Sequence, residues 1–396
     1  MHRIALFSSA RSEYWALTKV VNDFASSDDF SLSLILSGTH LSSRFGMSIN
    51  DKPLQHIGKT EVYSFPYLLD GESSFHLSDS VGLGIINLSS VLDKVKPDLM
   101  IVAGDRYDLL IPASCSVLFK IPIAHLGGGQ ITYGAIDNDV RNCITKLSHI
   151  HIATTTKAAL NISMMGEEDW RIVVSGSPTI DNLYDELLKR DEIEENLGTD
   201  LKKEIILCTY HPATRDLLSY DDQIDAVLGA LEAFVGRYTV IFTAPGADEG
   251  YNSILNKISS FCDLNEDALL YIDLGSKLYA SILSQASVIV GNSSSGIIEA
   301  PTLRVPTVNI GNRQLNRERA GSVLDSGYSV TQIVETIQYA FESRNALDYS
   351  NPYDPFMDGR NHLRVLESIR KLISEPRLYN KRLDFEVNEC EWNRFI

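Results

Sequence analysis

The sequence predicts an α/β protein made of two doubly wound, Rossmann-like domains that face a central cleft. Three observations carry this reading. Short runs of continuous apolar, β-branched residues alternate with stretches of helical composition, the pattern of parallel strands covered on both faces. Each run is released by Gly, Ser or Asp into a tight polar loop, as at the start of a βαβ unit. The pattern lapses near residue 182 and restarts near 204, and 396 residues is long for one hydrophobic core.

In chain order, Arg3 to Phe7 is the first predicted strand, followed by Ser8-Ser9-Ala10-Arg11-Ser12-Glu13-Tyr14 and a helix to about Ala25. Leu32 to Leu36 is the second, leaving through Ser37-Gly38-Thr39-His40. The third, starting at Asp98, releases Gly104-Asp105-Arg106, and Ile121 to His125 leads into Gly127-Gly128-Gly129. Ligands of such sheets gather at the carboxyl ends of the strands, which here carry Arg11, His40, Asp105 and His125. The charged stretch Asp181 to Asn196 is expected to link the domains. Strands then recur at 204–210, delivering His211-Pro212-Ala213-Thr214, and at 238–243, 269–272, 287–290 and 306–310. Leu363, Val365, Leu366, Ile369, Leu372 and Ile373 repeat at helical spacing. The expected division is 1–182 for the N-terminal domain and 183–375 for the C-terminal domain, with a terminal helix over 361–375 and a tail over 376–396. Two such domains across a cleft give a GT-B-like architecture.

Composition narrows the function classes. A formal net charge of -17 argues against general binding to nucleic acid or anionic membrane, so an anionic substrate needs a locally basic pocket. The five cysteines are scattered without a C-x-x-C pair, which suits reduced thiols in cytoplasm. No stretch approaches the roughly 18 apolar residues of a membrane span, and the apolar run at the N-terminus is too short for a signal peptide.

Gly291 to Pro301 reads G-N-S-S-S-G-I-I-E-A-P behind the apolar run 286–290. A strand, a tight loop and a helix there would offer backbone N–H groups and the hydroxyls of Ser293, Ser294 and Ser295 to a phosphate, with Glu299 one turn on, near the sugar hydroxyls of a nucleotide. The ordinary alternative is a Ser-rich helix cap. Asp105, at the exit of an apolar strand, is placed for acid/base work, or else for capping or pairing with Arg106. Asp137 and Arg141 share one helical face, which looks into a cleft or carries a surface ion pair. Arg313 and Arg317 clamp phosphate, sit at a domain or subunit interface, or form a solvated basic loop. His149 and His151 alternate along a strand with no third ligand nearby, so packing is preferred to metal binding, and His125 reads as buried and satisfied. Neither a dinucleotide fingerprint nor a G-K-[ST] phosphate loop occurs.

Six motifs in collinear order, Gly104-Asp105-Arg106, Gly128 to Lys146, Gly176-Ser177-Pro178, His211-Pro212, Gly291 to Pro301 and Asn309 to Gln314, resemble the hydrolysing UDP-N-acetylglucosamine 2-epimerases of sialic-acid and related nonulosonate biosynthesis. The resemblance spans about residues 1 to 375. It implies a GT-B fold, a UDP-sugar substrate, a homo-oligomer, and neither metal nor nicotinamide. The nucleotide would lie on Ser293, Ser294, Ser295 and Glu299, with His211 near the phosphates, and Arg11 would come from the opposite wall. A loop including Asp248 and Asn252 is loosely similar to a family loop near the nucleotide. The implied chemistry removes hydrogen from carbon 2 as UDP leaves carbon 1, then adds water with inversion at carbon 2.

The chain also departs from the family. Gln130 stands where a carboxylate usually follows the paired glycines, Gly127 where His or Glu precedes them, and Asn138 and Asn142 where a carboxylate and a His are usual. Amides keep the hydrogen-bonding shape but carry no proton to transfer, and loss of a true general base costs roughly 10²- to 10⁴-fold in rate. Asp139 is a substitute only if the helix starts later, since it lies about 200° from Asp137 around an ideal helix. The expected catalytic group is Asp105, Asp137, Gln130 and Arg141, and the expected binding group is Arg11, His40, His211, the three serines, Glu299 and Arg313. The favoured function is conversion of UDP-N-acetylglucosamine to N-acetylmannosamine and UDP. The alternatives are the same reaction on a UDP- or GDP-linked 2,4-diacetamido-2,4,6-trideoxy sugar, a nucleotide-sugar binding protein with degraded catalysis, and a glycosyltransferase.

Overall fold

The computed structural model describes residues 1–43, 47–50, 57–69, 71, 73–213, 216–245 and 249–382. Thr214, Asp248, Cys390 and the tail beyond 382 lie outside them. The N-terminal sheet holds β1 (His2–Ser8), β2 (Phe30–Leu36), β3 (Glu61–Ser64), β4 (Leu99–Ala103), β5 (Ile123–Leu126), β6 (Ile150–Ala153) and β7 (Ile172–Val174). The C-terminal sheet holds β8 (Glu204–Thr209), β9 (Tyr238–Thr243), β10 (Ala268–Tyr271), β11 (Ala286–Gly291), β12 (Thr307–Ile310) and β13 (Val323–Ser326). All the ladders are parallel, in the orders β3-β2-β1-β4-β5-β6-β7 and β10-β9-β8-β11-β12-β13.

Continuous apolar strands follow from burial on both faces. Ile4 and Leu6 join a core with Val20 and Phe24, whereas Ala5 and Phe7 point into another with Leu88, Leu92 and Ile111. Each such side chain removed from water contributes on the order of 1.5–3 kcal/mol before the entropy of ordering is counted. Strand order reverses between β1 and β4, and again between β8 and β11. The crevices left at those two points, at the carboxyl ends of the strands, are where such sheets hold ligands. Among the described residues, no helix is long and apolar enough to cross a membrane.

Two expectations need correction. The terminal helix, observed as Asn361–Leu372, packs on the first domain: Val365, Leu366, Ile369, Leu372 and Ile373 share a core with Ile4 and Leu6. Its apolar stripe fits a face of the first sheet left open beside helix Thr18–Ser26. Asp181, expected at the start of a charged linker between the domains, is fully buried and accepts from the backbone N–H groups of Asn361 and His362 at 3.1 and 2.6 Å. It thereby satisfies donors that every helix start leaves unpaired. The segment after this helix is tied down as well. Arg171 donates to the carbonyls of Arg377 and Leu378, both at 3.0 Å. Lys381 and Lys146 lie 2.8 and 2.5 Å from the buried carboxylate of Glu167, and His151 Nε2 lies 3.0 Å from it.

Candidate active site

The crevice of the first sheet is built by the exits of β1 and β4. Arg11 begins the helix Arg11–Ala16 and reaches across the cleft to Asp273 of the second domain. Two residues on, Glu13 accepts from Ser9 N at 2.9 Å and Ser9 Oγ at 2.8 Å. Arg106 Nε lies 3.7 Å from both Glu13 and Asp108, and Tyr67 donates to Asp108 at 3.0 Å. Burial, helped by the charge of Asp108, pushes Glu13 up to about 7 against the pull of Arg106 and Ser9. Sequence reading passed over Glu13 because an acid in a first helical turn is ordinary. Its electrostatic setting depends on Arg106 and Asp108, which only the fold brings near. His40 departs from its expected role as a ligand contact. It is fully buried, with Nε2 on Ser8 Oγ at 3.0 Å and Nδ1 on Ser48 Oγ at 2.7 Å, so it supports the strand exits from beneath.

The wall beside this crevice gathers the four residues expected to do chemistry. Arg141, on helix Asp137–Leu147, is fully buried; it donates to Asp105, to Gln130 O at 2.9 Å and to Thr132 Oγ1 at 3.0 Å. Burial pushes the Asp105 carboxyl up, but Arg141, Arg317 and Arg313 outweigh it and hold the group below its ordinary value. Asp105 is therefore a carboxylate at neutral pH, fitted to receive a proton rather than to supply one. Gln130 Nε2 donates to Thr154 Oγ1 at 2.6 Å, and Asn138 Oδ1 accepts from Thr132 N at 3.1 Å, which fixes the loop between them. Asp137 faces Arg313 of the second domain at 4.0 Å. Asp139 is exposed, because the helix starts at Asp137 and turns it away. The histidines have structural partners: His125 Nε2 bonds Gly104 O at 2.8 Å, and His149 Nδ1 accepts from Ile123 N at 3.3 Å.

The opposite wall stands at the β8/β11 crevice. Gly291 has φ +133°, and a Cβ there would lie 2.1 Å from Thr209 O, so only glycine lets the strands part this closely. Asn292 then clasps His211, accepting from its N–H at 2.7 Å and donating to its carbonyl at 2.8 Å. That places His211 beside Ser293, which caps the helix Ser294–Ile298. The helix has five residues and ends just before Glu299, which was expected one turn into it, so the serine hydroxyls rather than a long dipole define this loop. Ser295 Oγ meets Ser293 Oγ at 3.1 Å and the Tyr279 hydroxyl. Glu299 follows the helix, and burial lifts its carboxyl to about 7.

The walls are joined by the loop after β12. Arg313 and Gln314 both donate to Asn292 O, at 3.1 and 2.9 Å, so this loop also holds the serine loop. Arg317 crosses to Gln130 Oε1 at 2.6 Å, and Thr155 donates to Glu318 at 2.6 Å. At Gly134 the backbones meet so closely that a Cβ would fall 1.8 Å from Asn312 O. Four arginines, Arg11, Arg141, Arg313 and Arg317, thus gather in the cleft of a chain of net charge -17, three of them beside the carboxylates of Asp273, Asp105 and Asp137.

Carboxylates and arginines of one wall, set against a hydroxyl-rich loop on the other, make this a two-domain GT-B-like protein with a cleft suited to an anionic ligand. Within that class the chain belongs to the UDP-N-acetylglucosamine 2-epimerase family, whose model matches residues 22–370. It is 32% identical over 351 residues to a GDP/UDP-N,N'-diacetylbacillosamine 2-epimerase (hydrolyzing) of Campylobacter jejuni, covering 88% of each chain. It is 28% identical over 382 residues to a UDP-N,N'-diacetylbacillosamine 2-epimerase (hydrolyzing) of Legionella pneumophila, covering 96% of this chain and 99% of that one. The fold is shared with the crystal structure of UDP-GlcNAc 2-epimerase from Neisseria meningitidis bound to UDP-GlcNAc, at TM-score 0.77 and 18% identity, over 94% of this chain and 100% of that one.

Proposed function

We propose that this chain is a hydrolysing nucleotide-sugar 2-epimerase acting on a UDP-linked 2-acetamido sugar. The observation that carries the reading is the Asp105–Arg141 pair facing, across one cleft, the loop of Ser293, Ser294 and Ser295. In this reading the diphosphate sits on the serine loop with His211 and Arg313, and Glu299 accepts from the ribose hydroxyls. Arg11 closes over the phosphates from the first domain. Asp105 takes the proton from carbon 2 as the bond from carbon 1 to the UDP oxygen breaks, leaving a carbon 1–carbon 2 double bond. Arginines around the leaving diphosphate stabilise its charge. Water then adds across the double bond: carbon 2 receives a proton on the opposite face from the Asp137 carboxyl group, the water's hydroxyl bonds to carbon 1, and the proton that the water gives up restores Asp137. The products are UDP and the free 2-epimer. The protein is a cytoplasmic homo-oligomer in this reading.

UDP-N-acetylglucosamine, giving N-acetylmannosamine, is one substrate of this kind. The names of the Campylobacter and Legionella relatives support a 2,4-diacetamido-2,4,6-trideoxy sugar equally well. Incubating the purified protein with each UDP-sugar and measuring UDP release decides between them. Protein that binds UDP yet releases neither product from either substrate contradicts the proposal and favours a binding role with degraded catalysis.

A further inference from the structure

Of the three arginines that face Asp105, one from each domain ends on Gln130. Arg141 donates one nitrogen to Asp105 and another to the Gln130 carbonyl at 2.9 Å. Arg317, from the second domain, donates to Gln130 Oε1 at 2.6 Å and is steadied on its own side by Gln314 Oε1 at 3.0 Å and the Tyr353 hydroxyl at 3.4 Å. The Gln130 amide is fixed in this orientation because its Nε2 donates to Thr154 Oγ1 at 2.6 Å, and the residue is 8% exposed.

We propose that Gln130 is a positioning residue that holds Arg317 of the second domain toward the Asp105–Arg141 pair of the first, so that the charged surroundings of Asp105 are completed by contact between the domains. The catalytic consequence rests on the 2-epimerase reading; the electrostatic one does not. Asp105 is faced by Arg141 from helix Asp137–Leu147, by Arg313 and Arg317 from the loop after β12, and by His125 from β5. His125 is neutral, since burial lowers it to about 4, and neighbouring Arg106 stands between Glu13 and Asp108. A neutral acceptor at 130 leaves the full charge of Arg317 acting on Asp105. A carboxylate there would pair with Arg317 and cancel it.

The test compares wild type with Gln130→Glu, Gln130→Met and Arg317→Gln. Turnover of the two UDP-sugars is followed against pH, and Asp105 is titrated in ligand-free protein by carboxyl 13C NMR, assigned with Asp105→Asn. Gln130→Glu and Arg317→Gln are expected to raise both the Asp105 titration and the acidic limb of kcat/KM by on the order of one pH unit, the effect of about one unit charge at this range. Gln130→Met, which frees Arg317 without adding charge, moves both in the same direction by less. An unmoved Asp105 titration in Gln130→Glu overturns the proposal, as does a gain in turnover of about tenfold or more, which would make residue 130 a proton-transfer position. If wild type releases no UDP from either sugar, the 2-epimerase reading falls, and the NMR titration still decides what Gln130 does.

Discussion

Two carboxylates in the cleft are driven in opposite directions by their surroundings. Burial lifts Glu299 to about 7, whereas three arginines overcome burial and hold Asp105 low. If ribose hydroxyls donate to ionised Glu299, UDP affinity falls as pH drops below about 7, and Glu299→Gln flattens that dependence; calorimetric titration of UDP across pH reads both. The sign for stability is the reverse. With a folded value above the unfolded 4.5, ionised Glu299 subtracts from stability progressively between 4.5 and about 7 and by a constant amount above that. Glu299→Gln is therefore expected to raise the melting temperature of ligand-free protein above neutral pH while weakening UDP binding. Asp105→Asn should lose roughly 10²- to 10⁴-fold in turnover with UDP affinity largely kept, since the nucleotide loop lies on the other domain. The placement of Asp105 and the three serines at strand exits was legible from the sequence because they follow apolar runs, and that of Glu299 because it comes one helical turn later. Glu13 was not, because its electrostatic setting is assembled by residues 95 positions downstream, at Asp108.

At the scale of elements, strands buried on both faces announced themselves as apolar runs; nine expected strands lie where the runs do, and the strand expected under His149 and His151 is β6. β3, β7 and β13 were not expected: β3 and β13 are four-residue strands with polar and exposed residues, and the apolar run of β7 is only three residues long and partly exposed. The helical stripe of 363–373 was equally clear, but its partner was not. An apolar face states that it will be buried, not against which domain, and here Asp181 and the first sheet's open face decided it. The segment beyond this helix is held by Glu167, whose carboxyl burial would raise but His151, Lys146 and Lys381 together hold at about 2. Its contribution is present above the unfolded value of 4.5 and is lost as pH falls toward about 2. Glu167→Ala leaves three cationic or polar partners without their acceptor and is expected to cost about 3–5 kcal/mol in urea unfolding near neutral pH. A loss below about 1 kcal/mol would mean that this buried cluster is no stronger than an exposed pair.

At the scale of the molecule, neither domain holds a complete site. The first brings Asp105, Asp137 and Arg141, the second brings the serine loop and Glu299, and Arg11, Gln130, Arg313 and Arg317 span the gap. At Gly134 there is no room for a Cβ against the Asn312 backbone, so Gly134→Val should force the walls apart, widening the particle in small-angle scattering and lowering kcat/KM while the separate sheets stay folded. Two-domain architecture was readable from the restart of the strand pattern; the bridges were not, because an arginine in a loop carries no mark of which wall it will meet. The most direct test of the account is turnover of UDP-N-acetylglucosamine and its 2,4-diacetamido-trideoxy counterpart in deuterium oxide, followed by NMR. The account predicts UDP together with a free sugar inverted at carbon 2 and carrying deuterium there. A free sugar with unchanged configuration and no deuterium at carbon 2, or an epimer still joined to UDP, would contradict it.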